Sequence, residues 1–246
     1  MEEVSTTIHI EIGTAAAPLL VRWNTYTYWT EPFSKWGRDD SYALFMDEGV
    51  VLIDPREPAP DKREELESLW GGKSITSLLT NAWHERDCYG FRKRHGTPVW
   101  SAASGEAEHE GRPDHLFSEA DELPGSIEAV VLSDWFAGDT FYYWTAPGGE
   151  RLAFVGDAIS APQRDGQTEF YLQLYGHPTP EEFMAAFERV ADRSIDRLCL
   201  AHGGSLPVDS LAQLRHTLQN EEVLRTDWPA TILPPPGRSP PDWFPG

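Results

Sequence analysis

The chain has 246 residues, enough for one domain with a substantial buried core. Its 40 acidic residues against 20 basic ones give a net charge of −20, a field that repels phosphate backbones and argues against a nucleic-acid partner. Two cysteines, Cys88 and Cys199, are too few for a disulfide framework, and no apolar run is long enough to span a membrane. The acidic start Met1-Glu2-Glu3 is unlike a signal peptide, so a reducing, cytoplasmic setting is expected.

In chain order, residues 19–29 are rich in β-branched and aromatic side chains and read as a strand. Strands at 41–46 and 50–54 flank Asp47-Glu48-Gly49, a hairpin turn. A helix is expected over 61–70, capped by Asp61, with Glu64 three residues on and Gly71-Gly72 as its stop. A buried strand at 75–80 leads into Asn81-Ala82-Trp83-His84-Glu85-Arg86-Asp87-Cys88, and a short helix follows over 89–95. Further strands are expected at 98–101 and 127–132. A second hairpin pairs 140–144 with 151–155 and runs into Gly156-Asp157. Thr179-Pro180-Glu181-Glu182 opens a helix whose apolar face is Phe183, Phe187 and Val190. A strand at 197–201 ends at His202-Gly203-Gly204, and a last helix is expected over 208–222. The pattern is that of a single α/β layered domain, 1–227, with a Pro-rich tail over 228–246.

Asp54, His84, Asp87, Asp157 and His202 all fall just past strand ends, and loops at one end of a strand layer can converge on one site. Gly156 lets the backbone turn tightly beside a ligand, and the glycines after His202 permit a sharp turn. Taken singly, each position has an ordinary structural explanation, such as a turn aspartate or a satisfied histidine. Their common placement points to chemistry. His, Glu, Asp and Cys crowded between 84 and 88 are the types that bind divalent metals.

Val51-Leu52-Ile53-Asp54-Pro55, Leu78-Leu79-Thr80, Phe154-Val155-Gly156-Asp157 and Leu200-Ala201-His202-Gly203, in this order, resemble the metallo-β-lactamase superfamily. The resemblance implies a four-layer αβ/βα sandwich with a site at one edge of two packed sheets. The family's metal loop reads His-x-His-x-Asp-His. With Asp87 on its aspartate, Trp83 and Glu85 fall on the first two histidines and Cys88 on the last, while His84 is displaced by one. Trp135 stands in place of a mid-chain histidine, Asp157 matches the bridging aspartate, and His202 matches the final histidine. The three-histidine metal site is therefore expected to be lost. The other implies Asp87, Cys88, Asp157 and His202 as ligands of one zinc or similar divalent ion at most, with His84 a further candidate.

Two functions follow. The first is a hydrolase of a small ester, lactone or thioester, with Asp87, Asp157 and His84 as catalytic groups and Trp83, Arg86 and Trp135 against the substrate. An ion would there activate water for attack on a carbonyl carbon. The alternative is a metal-free protein in which Arg86 neutralises the acidic cluster. It would bind or transform a small organic ligand through an acid–base network of His84, Arg86, Asp87, Asp157 and His202. A Cys88–His84 nucleophile pair ranks below both. The expected partner is a small molecule, not nucleic acid or membrane.

Overall fold

Strand alternation builds two sheets, seen in a computed structural model that describes residues 4–27, 38–132, 137–160, 163–164, 167–168, 171–172 and 180–208. Strands β1 (Val4–Thr14), β2 (Ala17–Thr27), β3 (Arg38–Phe45), β4 (Val50–Ile53), β5 (Ile75–Leu78), β6 (Val99–Ala102) and β7 (His115–Phe117) lie in sequence order in one sheet. Pairing is antiparallel from β1 to β4 and parallel from β4 to β7. Parallel neighbours need crossovers, supplied by helix α1 (Pro60–Ser68) between β4 and β5 and α2 (Cys88–His95) between β5 and β6.

The second half repeats the scheme. After β8 (Glu128–Val131), β9 (Thr140–Thr145) and β10 (Arg151–Val155) come two short ladders, β11 (Ile159–Ser160) with β14 (Tyr171–Leu172) and β12 (Gln163–Arg164) with β13 (Gln167–Thr168). Helix α3 (Pro180–Ala191) then leads to β15 (Arg197–Leu200) and β16 (Gly204–Pro207). The second sheet runs β16-β15-β10-β9-β8.

Alternate side chains assign the layers. In β4, Val50 and Leu52 face Leu66, Trp70 and Phe91 on the helical side, while Val51 and Ile53 face the other sheet. In β10, Leu152 and Phe154 join that shared inter-sheet core, and Ala153 and Val155 turn to Phe187, Val190 and Ala191 of α3. Both faces of each central strand are thus covered, giving helix, sheet, sheet, helix, as expected from the sequence. In β1, register shifts between Ile10 and Ile12 and between Ile12 and Gly13 accompany a change of face. Ile8 and Ile10 pack toward the helices and Ile12 toward the second sheet.

Two tyrosines stitch the sheets together where β5 and β15 end. The Tyr142 hydroxyl donates to Leu79 O at 2.6 Å, and that of Tyr42 lies 2.8 Å from Leu200 O. This brings the loops after β4, β5, β10 and β15 to one edge. Both expected hairpins form, but α1 begins one residue before its expected cap. Ala59 occupies the N-cap and Pro60 the first turn, so proline's preset φ replaces a side-chain cap and Asp61 lies inside the helix. All but Val208 of the expected helix over 208–222, the tail, Thr179 and Trp135 fall outside the described residues. No helix among the described residues is long and apolar enough to cross a membrane.

Candidate metal centre

Asp54 organises the edge. It follows β4 with φ 47°, a left-handed conformation that Asp tolerates better than most residues. Its carboxylate accepts from Thr80 N at 2.8 Å and Thr80 Oγ1 at 2.5 Å, and meets His84 Nδ1 at 2.9 Å. Asn81 caps the single 3-10 turn Ala82–Glu85 by accepting from His84 N at 3.0 Å. Its amide donates at 3.1 Å to Asp157 Oδ2. One asparagine thus fixes the turn that carries His84 and the carboxylate that His84 faces.

Three side chains converge. Nε2 of His84 and Nε2 of His202 each lie 3.2 Å from Asp157 Oδ1. The imidazoles stand edge to face at 5.3 Å between centroids. Each turns its other nitrogen to a carboxylate, His84 Nδ1 to Asp54 and His202 Nδ1 to Asp39 at 3.5 Å. Both Nε2 atoms thus face the cluster, where the ionised Asp157 accepts the Nε2 proton of His84 and an ion would take that proton's place.

The electrostatics follow from the packing. Burial alone would raise the Asp157 carboxyl, but the two imidazoles hold it well below the usual carboxylate range. Asp54 is lowered against burial by His84, Arg86 and Thr80. His84 is opposed by its burial and by Arg86, yet the Asp157 and Asp54 carboxylates push it up to about 9. Asp139 behaves oppositely. Burial and the charge of Asp157 raise its carboxyl well above the ordinary carboxylate value. One of its oxygens accepts from Ala158 N at 2.6 Å, and the other has no hydrogen-bond partner among the described residues. Gly156 lies against that bare oxygen. A Cβ there would sit 2.5 Å from Thr80 Oγ1 and 2.8 Å from Asp139 Oδ1. Close approach, rather than an unusual φ, is what demands glycine.

Arg86 closes the edge, in a backbone conformation (φ 40°, ψ −116°) that strains any residue with a Cβ. Nη2 is 3.4 Å from His84 Nε2, 3.5 Å from His202 Nε2 and 3.4 Å from Asp39 Oδ1. Nη1 reaches Asp40 O at 3.3 Å and Asp54 O at 3.4 Å.

Not every expected residue arrives. Asp87 points outward: it accepts from Glu57 N at 2.8 Å and lies 3.7 Å from Arg56 Nε. Cys88 begins α2 and turns inward onto Leu79 and Val99, where burial and the Glu85 charge push its thiol up, away from thiolate. Neither is brought to the His84–Asp157–His202 cluster, so the expected ligand set of Asp87, Cys88, Asp157 and His202 does not assemble. His84, displaced by one residue in the motif, occupies the cluster instead. The helical start at Cys88 turns the chain too soon for Asp87 and Cys88 to reach it. A thiolate at Cys88 paired with His84 is likewise unsupported. Trp83 packs partly buried against the Val130–Phe141 side of the second sheet and donates to Glu108 at 3.4 Å. Trp135 is outside the described residues.

Sequence reasoning missed four contributors. Asp39 and Asn81 act through Arg86, His202 and Asp157 as above. The other two, His109 and Ser101, join Glu85 in a second network. His109 Nδ1 lies 2.8 Å from Glu85 Oε1 and Nε2 lies 2.9 Å from Ser101 Oγ. Glu85 also accepts from the backbone N–H groups of Glu110 and Gly111. Ser101 is fully buried, so this Ser-His-Glu line is an anchor for the turn bearing His84 and not an accessible nucleophile.

The residues suit a metal ion. Two imidazole nitrogens and a carboxylate oxygen lie within 4.8 Å of one another, two of the three residues buried and the third half-buried. Each imidazole has a carboxylate behind it, the arrangement that orients ligating histidines. Two histidines and one carboxylate suit zinc or ferrous iron and leave open positions.

No family model matches the chain, and no curated protein matches it. Solved structures do. A metallo-beta-lactamase from Pontibacter korlensis aligns with a TM-score of 0.62 at 17% identity, over 89% of this chain and 100% of that one. The metallo-beta-lactamase DIM-1, exposed to ceftazidime, gives 0.60 at 12% identity, over 89% of this chain and 98% of its own. A flavo di-iron protein from Thermotoga maritima gives 0.60 at 14% identity, over 89% of this chain and 62% of its own. The chain has the metallo-β-lactamase fold, in a sequence that has diverged far from these neighbours.

Proposed function

We propose that the protein is a hydrolase with one divalent ion, held by His84, Asp157 and His202, that acts on a small ester, lactone or thioester. The observation that carries this reading is the pair of carboxylate-backed imidazoles presenting Nε2 to the same oxygen of Asp157. When bound, the ion would polarise a carbonyl and lower the pKa of water. The protein's own groups supply the rest. Asp54 keeps a proton on Nδ1 of His84, and Asn81 holds Oδ2 of Asp157 so that Oδ1 stays with the histidines. Arg86 places a fixed positive charge beside the cluster, where negative charge would develop during acyl transfer. The net charge of −20 supports a small uncharged or weakly charged substrate over a nucleic acid. The two cysteines are free and buried, in keeping with a reducing compartment.

A test is hydrolysis of a panel of aryl esters, lactones and acyl thioesters by protein stripped with chelator and then reloaded. Turnover that appears only on reloading supports the reading; equal turnover in stripped protein contradicts it. The metal-free alternative is favoured by one observation, the guanidinium of Arg86 facing both Nε2 atoms at 3.4 and 3.5 Å. In that case the protein binds a small organic ligand through the same network, and ligand affinity is indifferent to chelator.

A further inference from the structure

We infer that Arg86 is an internal competitor for the metal: its guanidinium stands where a divalent ion would stand, in front of the Nε2 atoms of His84 and His202, and Arg86 thereby sets the affinity of the centre. This rests on the metal reading above and goes beyond it.

A guanidinium carries only donors. Whichever nitrogen holds the imidazole proton, a guanidinium in front of Nε2 fills the space an ion needs and opposes it with its own positive charge. Nη2 stands 3.4 Å from Nε2 of His84 and 3.5 Å from Nε2 of His202. It is also a fixed cation among the carboxylates of Asp39, Asp54 and Asp157, so it neutralises charge that would otherwise attract an ion.

The competitor is loosely held. Its polar contacts among the described residues run from 3.3 to 3.5 Å. Arg22, by contrast, grips Glu11 at 2.7 Å and Asp40 at 2.8 Å. Arg86 also carries the strained backbone of the turn, φ 40°. Strain of this kind persists where the surroundings over-determine it and clusters at functional sites. Asp39, bound to both Arg86 and His202, offers the guanidinium a place to retreat to when an ion enters.

The test is zinc affinity, measured by chelator competition on chelator-stripped protein, for the wild type and for Arg86→Gly and Arg86→Met. Glycine tolerates the strained backbone, so Arg86→Gly keeps the fold even if the methionine variant is destabilised. The expected result is one ion per chain in all three proteins, bound more than about tenfold tighter when the guanidinium is removed. His202→Ala in the Arg86→Gly background should abolish the gain, placing the ion on the cluster. Unchanged or weaker affinity in Arg86→Gly overturns the competition and leaves the metal reading standing. Failure of every variant to bind zinc overturns both.

Discussion

Asp54 Oδ2 meets His84 Nδ1 at 2.9 Å, and this contact decides which nitrogen of His84 faces Asp157 and His202. Replacing Asp54 by Asn puts an amide where a carboxylate accepts from Thr80 and His84. The imidazole then loses the partner that fixes its tautomer. Zinc affinity of Asp54→Asn is expected to fall by about 10–100-fold, the usual effect of losing a carboxylate behind a ligating histidine. Chelator competition, with circular dichroism to confirm the fold, measures it. Unchanged affinity would remove Asp54 from the centre.

Gly156 is wedged between Thr80 Oγ1 and Asp139 Oδ1. Gly156→Ala forces these two buried groups apart and should destabilise the protein by about 1–3 kcal/mol, as overpacking does. Gly148, which has nothing within 4 Å of a built Cβ, is the control, and Gly148→Ala should be close to neutral. Urea denaturation of the two variants separates a local clash from a general cost of adding a methyl group.

Removing His109 leaves Ser101 Oγ and Glu85 Oε1 without their imidazole partner in a buried setting. His109→Ala should cost about 1–3 kcal/mol. The Glu85 carboxyl, raised by burial but lowered more by His109 and the Gly111 and Glu110 amides, titrates below its ordinary 4.5 in the folded protein. A carboxyl lowered on folding stabilises the fold above its unfolded pKa and loses that contribution as the pH falls. Wild-type stability should therefore drop on acidification below about pH 4.5, and Glu85→Gln should show a shallower drop over that window. Parallel denaturation curves from pH 6 downward test this; identical slopes would show that Glu85 is not the group responsible.

Cys88 is buried in an apolar pocket with a raised thiol. Cys88→Ser should leave zinc affinity and turnover unchanged while costing about 1–3 kcal/mol of stability for a buried hydroxyl. Lost turnover with an intact fold would restore a role for the thiol.

Much of the fold was legible because central strands buried on both faces leave plain apolar runs, such as Val51-Leu52-Ile53 and Leu152-Ala153-Phe154-Val155, ended by polar residues. The strand β1 carries an alternating Ile8, Ile10, Ile12 pattern, but its threonines and charged neighbours hid it. Asp157 and His202 could be placed because each directly follows such a run. The metal loop was harder. In a tight turn a shift of one residue redirects every side chain. Setting Asp87 on the family motif's aspartate put Asp87 and Cys88 at the site, whereas Asn81 capping a single 3-10 turn puts His84 there. Asp39 and Asn81 act through partners distant in sequence, Asp39 through Arg86 and His202 and Asn81 through Asp157, contacts that no local pattern reveals.

The most direct measurement is the metal content of protein purified without chelator, by elemental analysis and native mass spectrometry, for the wild type and for His84→Ala, Asp157→Ala and His202→Ala. One divalent ion per chain in the wild type, lost in each variant, is expected. Metal-free wild-type protein whose melting temperature does not move on adding zinc or ferrous iron would contradict a metal centre at His84, Asp157 and His202.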